Sequence, residues 1–200
     1  MARYDEQHKQ ATRERILATS GRRLKSDGVD GSGVATLMKD AGLTNGAFYA
    51  HFDSKDDLVA HVVRNELHSQ LAGFSDLDPG ADGLRQLVAG YLTVDHRDHP
   101  DLGCPSAALL DEIARGPHVV RQAYSDGILE IVDALTDRLP DAATASGRRG
   151  ARARVLSAYA LMAGTIQLAR ALTDDELASD VIAQGLADVI ALLGLDRTRA

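Results

Sequence analysis

Cysteine is nearly absent. Cys104 stands alone in 200 residues, which excludes an internal disulfide framework and any zinc site built from several thiolates. Tryptophan is missing, and beyond residue 55 only Phe74, Tyr91, Tyr124 and Tyr159 are aromatic. That supply is thin for stacking a large planar cation between rings. No stretch reaches the roughly 18 uninterrupted apolar residues of a membrane span. The first nine residues are polar and lack the apolar run of a secretory leader. No Gly-rich phosphate cradle and no metal-spaced His/Glu motif occurs. These absences lead to the expectation of a cytoplasmic protein with no membrane partner, metal, cofactor or catalytic set. What is present, 44% hydrophobic and 26% charged residues, suits a chain able to build a folded core.

Lysine is scarce and unevenly placed. All four lysines (Lys9, Lys25, Lys39 and Lys55) lie in the first 55 residues, where nine basic residues face seven acidic ones. Residues 56–200 hold thirteen arginines against twenty-two acids, and the whole chain carries −7. Such a division fits a mildly basic head for a polyanion and an acidic remainder kept off it.

Apolar residues recur at helical spacing, and strand-like alternation is nearly missing. A first helix is expected over 6–26, with Ile16, Leu17 and Leu24 on its apolar face and Gly28 ending it. Ser32 is placed to cap a short helix over 34–41, Gly42 allows a tight turn, and Thr44 can cap a second short helix reaching His51. Ser54, with Asp57 three positions on, marks the start of a helix running to about 72. Residues 73–83 read as a connector, followed by helices over 84–94, 105–114, 118–139, 149–172 and 175–193. Residues 140–150 read as an exposed loop.

The stretch 34–58 has the layout helix, Gly-containing turn, helix of a helix-turn-helix unit. Leu37, Met38, Ala41, Leu43, Phe48 and Phe52 can be buried together, leaving Thr44, Asn45, Ala47 and Tyr49 exposed. In such units the start of the second helix enters the major groove of DNA while neighbouring groups hold phosphates.

The run Ala41-Gly-Leu-Thr-Asn-Gly-Ala-Phe-Tyr-Ala-His-Phe-Asp-Ser-Lys-Asp-Asp-Leu58 resembles the signature of TetR-family repressors across about residues 10–60. The resemblance implies an all-α protein. A three-helix DNA-binding domain would occupy 1–55, and a larger helical effector-binding and dimerisation domain 56–200. It implies that Thr44 contacts a phosphate or base and that Gly46 permits close approach. Tyr49 would donate to a phosphate, His51 would lie near the DNA backbone, and Lys55 would clamp a phosphate with its helix N-terminus. Asn45 stands where the family often has Lys or Arg and would offer a hydrogen bond to a base edge such as adenine. Ala47 replaces a hydroxyl residue and would touch a thymine methyl, while Ala50 replaces a larger polar group. Ser32 and Thr36 are further phosphate candidates.

Family members act on double-stranded operator DNA as homodimers, so the last two helices are expected to pair across a two-fold axis. Leu156, Tyr159, Met162, Ala163, Ile166 and Leu168 in one, and Val181, Ile182, Leu186, Val189, Ile190 and Leu193 in the other, supply the apolar material. A small-molecule effector is expected among the middle helices, with Tyr91, His96, Cys104, Leu109, Ile113, Tyr124, Met162 and Ile166 as candidate contacts. Cys104 precedes a proline at a helix start, near His96, Arg97 and His99. That setting favours thiolate, and hence an electrophile sensor, a device the resemblance permits. The plainer reading of Cys104 is a small buried side chain. An activator or effector-independent DNA binder is the nearest alternative function. A Cys104-dependent enzyme is remote, because its partner groups would all come from one short loop.

Overall fold

The computed structural model describes residues 2–196, with side chains from residue 6 on, and no strand occurs among the described residues. The chain is all-α. Its contacts divide it into two compact units: one holds the residues to His68 together with Pro100–Gly127, the other Ser69–His99 and the residues from Ile128 on.

In the first unit, α1 (Ala2–Asp27) buries Thr12, Ile16, Leu17, Ser20, Leu24 and Lys25. It ends at Gly28, whose φ of +78° only glycine adopts without strain. α2 (Val34–Asp40) buries Leu37 and Met38, and Gly42, at φ +70°, turns the chain. A 3-10 helix, Asn45–Ala50, follows, and then α3 (Lys55–Gly73). The first unit closes with a 3-10 turn at Pro100–Leu102, α6 (Pro105–Arg115) and the start of α7 (His118–Thr136). Between them in sequence lie α4 (Gly80–Tyr91) and α5 (Val94–Asp98) of the second unit.

Three local expectations change. The helix expected from Thr44 to His51 is a 3-10 helix with i→i−3 bonds, His51 N–H to Phe48 O at 2.9 Å among them. A segment this short, held by buried Phe48 within it and buried Phe52 just past its C-terminal end, gains little from the wider α geometry. Thr44 occupies the cap position without a side-chain capping bond. Gly33, not Ser32, caps α2; the Ser32 hydroxyl turns back to donate to Gly28 O at 2.8 Å, satisfying a carbonyl at the end of α1. Ser54 does cap α3, accepting from Asp57 N–H at 3.1 Å.

The second unit is built on α8 (Ala145–Ala171) and α9 (Asp175–Leu193), which pack along each other. A Cβ at Gly185 would lie 2.7 Å from the Thr165 side chain, so glycine there sets how closely the two helices approach. Tyr159, Met162, Ala163, Ile166, Ile182, Val189 and Leu193 are buried. The expected loop 140–150 instead holds a 3-10 turn (Pro140–Ala143) and the first turns of α8, capped by Thr144 accepting from Gly147 N–H at 3.2 Å. α4 begins earlier than expected, at Gly80 (φ +65°), and α5 was not anticipated.

Candidate nucleic-acid interface

The 3-10 segment Asn45–Ala50 sits on an aromatic floor. Phe48 and Phe52 are almost wholly buried, their ring centres 5.9 Å apart; burying each ring contributes about 1.5–3 kcal/mol. Tyr49 meets Phe48 edge-to-face at 5.2 Å, yet is 74% exposed. Thr36, Thr44, Asn45 and Gly46 are exposed around it, and Ala47 and His51 are half-buried. A Cβ on Gly46 would meet nothing within 4 Å, so the fold itself does not require glycine there.

Two of the expected contact residues are engaged within the protein. Ser32 is fully buried with its hydroxyl committed to Gly28, so it does not face a phosphate; the turn closing α1 takes the group. Lys55 is half-buried, and its ammonium donates to Val29 O at 2.6 Å, one of its three N–H bonds. The N–H of the same Val29 donates to the Glu112 carboxylate of α6 at 2.7 Å.

Sequence reasoning missed the groups that hold the segment from beneath. The Arg13 guanidinium of α1 lies 4.3 Å from the centre of the Phe52 ring and donates to the His51 carbonyl. Arg23 joins α1 to α2 through Asp40 at 2.7 Å, which holds the Asp40 carboxyl below its ordinary range. Burial first, then the charges of Lys9 and Arg13, keep His51 below the ordinary histidine value, and its Nδ1 has no hydrogen-bond partner among the described residues. The one signal in the sequence is that Arg13 precedes the apolar face of α1, which does not name its partner.

The expected effector contacts fall four in each unit. In the first, Cys104 is buried and its Sγ accepts from Ser106 N–H at 3.3 Å; the Ser106 hydroxyl lies 2.9 Å from the Tyr124 hydroxyl, and Leu109 and Ile113 are buried in α6. Burial pushes the Tyr124 phenol upward. In the second, Tyr91 and His96 meet edge-to-face at 4.4 Å, the His96 Nδ1–H donates to Tyr91 O at 2.8 Å, and Met162 and Ile166 are buried. An open groove of about 1630 Å³ in the second unit, lined by Arg85, Arg138, Leu139 and Leu195, contains none of these residues.

Residues 16–62 match the sequence profile of bacterial regulatory proteins of the tetR family, the same span that supplies the Phe48–Phe52 floor and the exposed Tyr49. Over these residues the chain is similar to the tetR family. The HTH-type transcriptional regulator AcrR of Shigella flexneri is 39% identical to this chain over 62 residues; the match covers 31% of this chain and 29% of that one. TtgR of Pseudomonas putida is 33% identical over 86 residues, 42% of this chain and 41% of that one. The chain thus spans well under half the length of the curated relatives it matches. Similarity of fold runs further. Reduced NemR from E. coli superposes with a TM-score of 0.70 at 21% identity, covering 90% of this chain and 95% of that one. A TetR-family regulator from Streptomyces coelicolor gives 0.65 at 25% identity, covering 93% and 90%.

Proposed function

We propose that the protein is a homodimeric transcriptional repressor that reads operator DNA with Asn45–Ala50 and leaves it when a small molecule binds. The observation that carries this reading is Tyr49: a large aromatic side chain, 74% exposed, on a segment whose neighbouring rings are buried. A ring this exposed adds little to packing, whereas its hydroxyl is free to donate a hydrogen bond to a phosphate oxygen. Thr36, Thr44 and Asn45 add exposed donors, and Gly46 lets the backbone come close. AcrR and TtgR are named as HTH-type transcriptional regulators, and the matched span is where this chain is like them.

One such head has a small footprint, so two heads on half-sites about 34 Å or a multiple apart supply useful affinity. The pairing surface in this reading is the outer face of α8 and α9, where Leu156, Leu161, Leu168 and Leu177 remain exposed beside Ala160 and Gly164. The effector acts by favouring the form of the dimer that does not fit DNA; equal affinity for both forms would shift nothing. Two separate candidate contact sets serve this reading: within the second unit the Tyr91–His96 pair with Met162 and Ile166, and within the first the Cys104–Ser106–Tyr124 chain with Leu109 and Ile113. Where the effector is an electrophile, Cys104→Ser abolishes release, and normal release from that variant removes the thiol from the account.

The test is a footprint on the DNA upstream of the protein's own reading frame. Protection of an inverted repeat by a dimer is expected, and protection of a single asymmetric site by a monomer contradicts the reading.

A further inference from the structure

We propose that Arg13, on α1, is the positioning residue for DNA reading: it fixes the tilt and depth of the Asn45–Ala50 segment without itself touching DNA. The proposal rests on the DNA-binding reading above and deepens it. The segment is short, and its i→i−3 bonds close only a turn or two, so its own hydrogen bonding gives it little stiffness. Its first residues must meet base edges and phosphates to within fractions of an ångström. Something outside must set its far end.

Arg13 meets the requirement by two contacts of different kind. Its guanidinium covers the Phe52 ring at 4.3 Å, holding the residue just beyond the segment, and donates to the carbonyl of His51, the residue that ends it. A last-turn carbonyl has no partner inside its own helix and carries partial negative charge, which suits a cation. The planar fork of arginine makes the stack and the donation together; the lysine ammonium, a point charge, cannot reproduce both. Arg13 is half-buried, with its charge directed inward against Phe52 and His51. That placement separates it from the exposed Tyr49, which is free to meet a ligand.

The experiment compares wild type, Arg13→Met and Arg13→Lys as full chains. Two measurements are made: affinity for a duplex selected by the wild type from a random pool, across a salt series, and the His51 imidazole titration by NMR without DNA. Arg13→Met is expected to bind about tenfold more weakly, with the slope of log affinity against log salt unchanged. Arg13→Lys should recover part of the loss. His51 should titrate at higher pH in Arg13→Met, since Arg13 and Lys9 are the charges that lower it after burial. A fall in the slope by about one marks Arg13 as a phosphate contact and overturns the proposal. So does unchanged affinity, or a His51 titration that does not move. Failure of the wild type to select any duplex overturns the DNA reading itself and takes the proposal with it, an outcome distinct from any behaviour of the variants.

Discussion

The Lys55 ammonium and the Val29 carbonyl are 2.6 Å apart, so the first residue of α3 holds the turn that follows α1. The other side of the same residue is held too, since Val29 N–H donates to Glu112 of α6. Lys55 therefore has a structural duty besides any phosphate it meets. Lys55→Met should lower stability by about 1–3 kcal/mol and weaken duplex binding as well. Thermal unfolding and a salt series separate the two effects. A variant that loses affinity with an unchanged melting temperature would show that the Val29 contact contributes nothing.

Lys25 and Glu66 form the most deeply placed ion pair of the first unit, 2.6 Å apart with the lysine side chain 4% exposed; the same ammonium donates to Gly103 O at 2.9 Å. Removing one partner strands the other. Glu66→Leu, which leaves the buried ammonium without its carboxylate, should cost about 3–5 kcal/mol, while Glu66→Leu with Lys25→Met should cost clearly less. Chemical denaturation of both variants checks this, and a double variant no better than the single one would contradict it.

Much of this was legible in the sequence, and the reasons differ by residue. Leu37, Met38, Phe48 and Phe52 fall inside because their spacing leaves a helical pair no other apolar face to bury. Tyr49 is exposed for the same reason. Ser32 was misread, because a serine before a short helix caps equally well in principle, and only the turn shows its hydroxyl reaching back to Gly28. Arg13 to His51, Lys55 to Val29 and Glu112 to Val29 are 38, 26 and 83 residues apart. No local pattern names partners at such separations. The apolar stripes of α8 and α9 likewise give no means of dividing buried Met162 and Ile166 from exposed Leu161 and Leu168.

His51 and His61 are both held below the ordinary value of 6.5, chiefly by burial, with Arg13 opposing their protonation and Asp57 partly favouring it at His61. A histidine with a lowered folded value protonates first in the unfolded chain. Stability is therefore full above pH 6.5 and is lost as pH falls from there through the folded values. Melting temperatures measured on either side of that point should show the loss. His51→Gln with His61→Gln should flatten it; an equally steep loss in that variant would assign the effect elsewhere.

Leu168 is 54% exposed on α8, and Leu161 is exposed on the same helix. A charge there costs little in a monomer but a great deal inside a dry interface between copies. If the proposed dimer pairs through this face, Leu168→Glu with Leu161→Glu should shift sedimentation from dimer to monomer while the helical circular dichroism is kept. A pair of substitutions that leaves the dimer intact would move the pairing surface away from this face.

In the proposed mode of action the segment carrying Tyr49 lies against duplex DNA. Tyr49→Ala tests it cleanly, because a side chain 74% exposed contributes little to folding. Titrating a selected duplex at moderate salt should show affinity falling about tenfold or more with the melting temperature unchanged. Affinity equal to that of the wild type would contradict this placement of the segment.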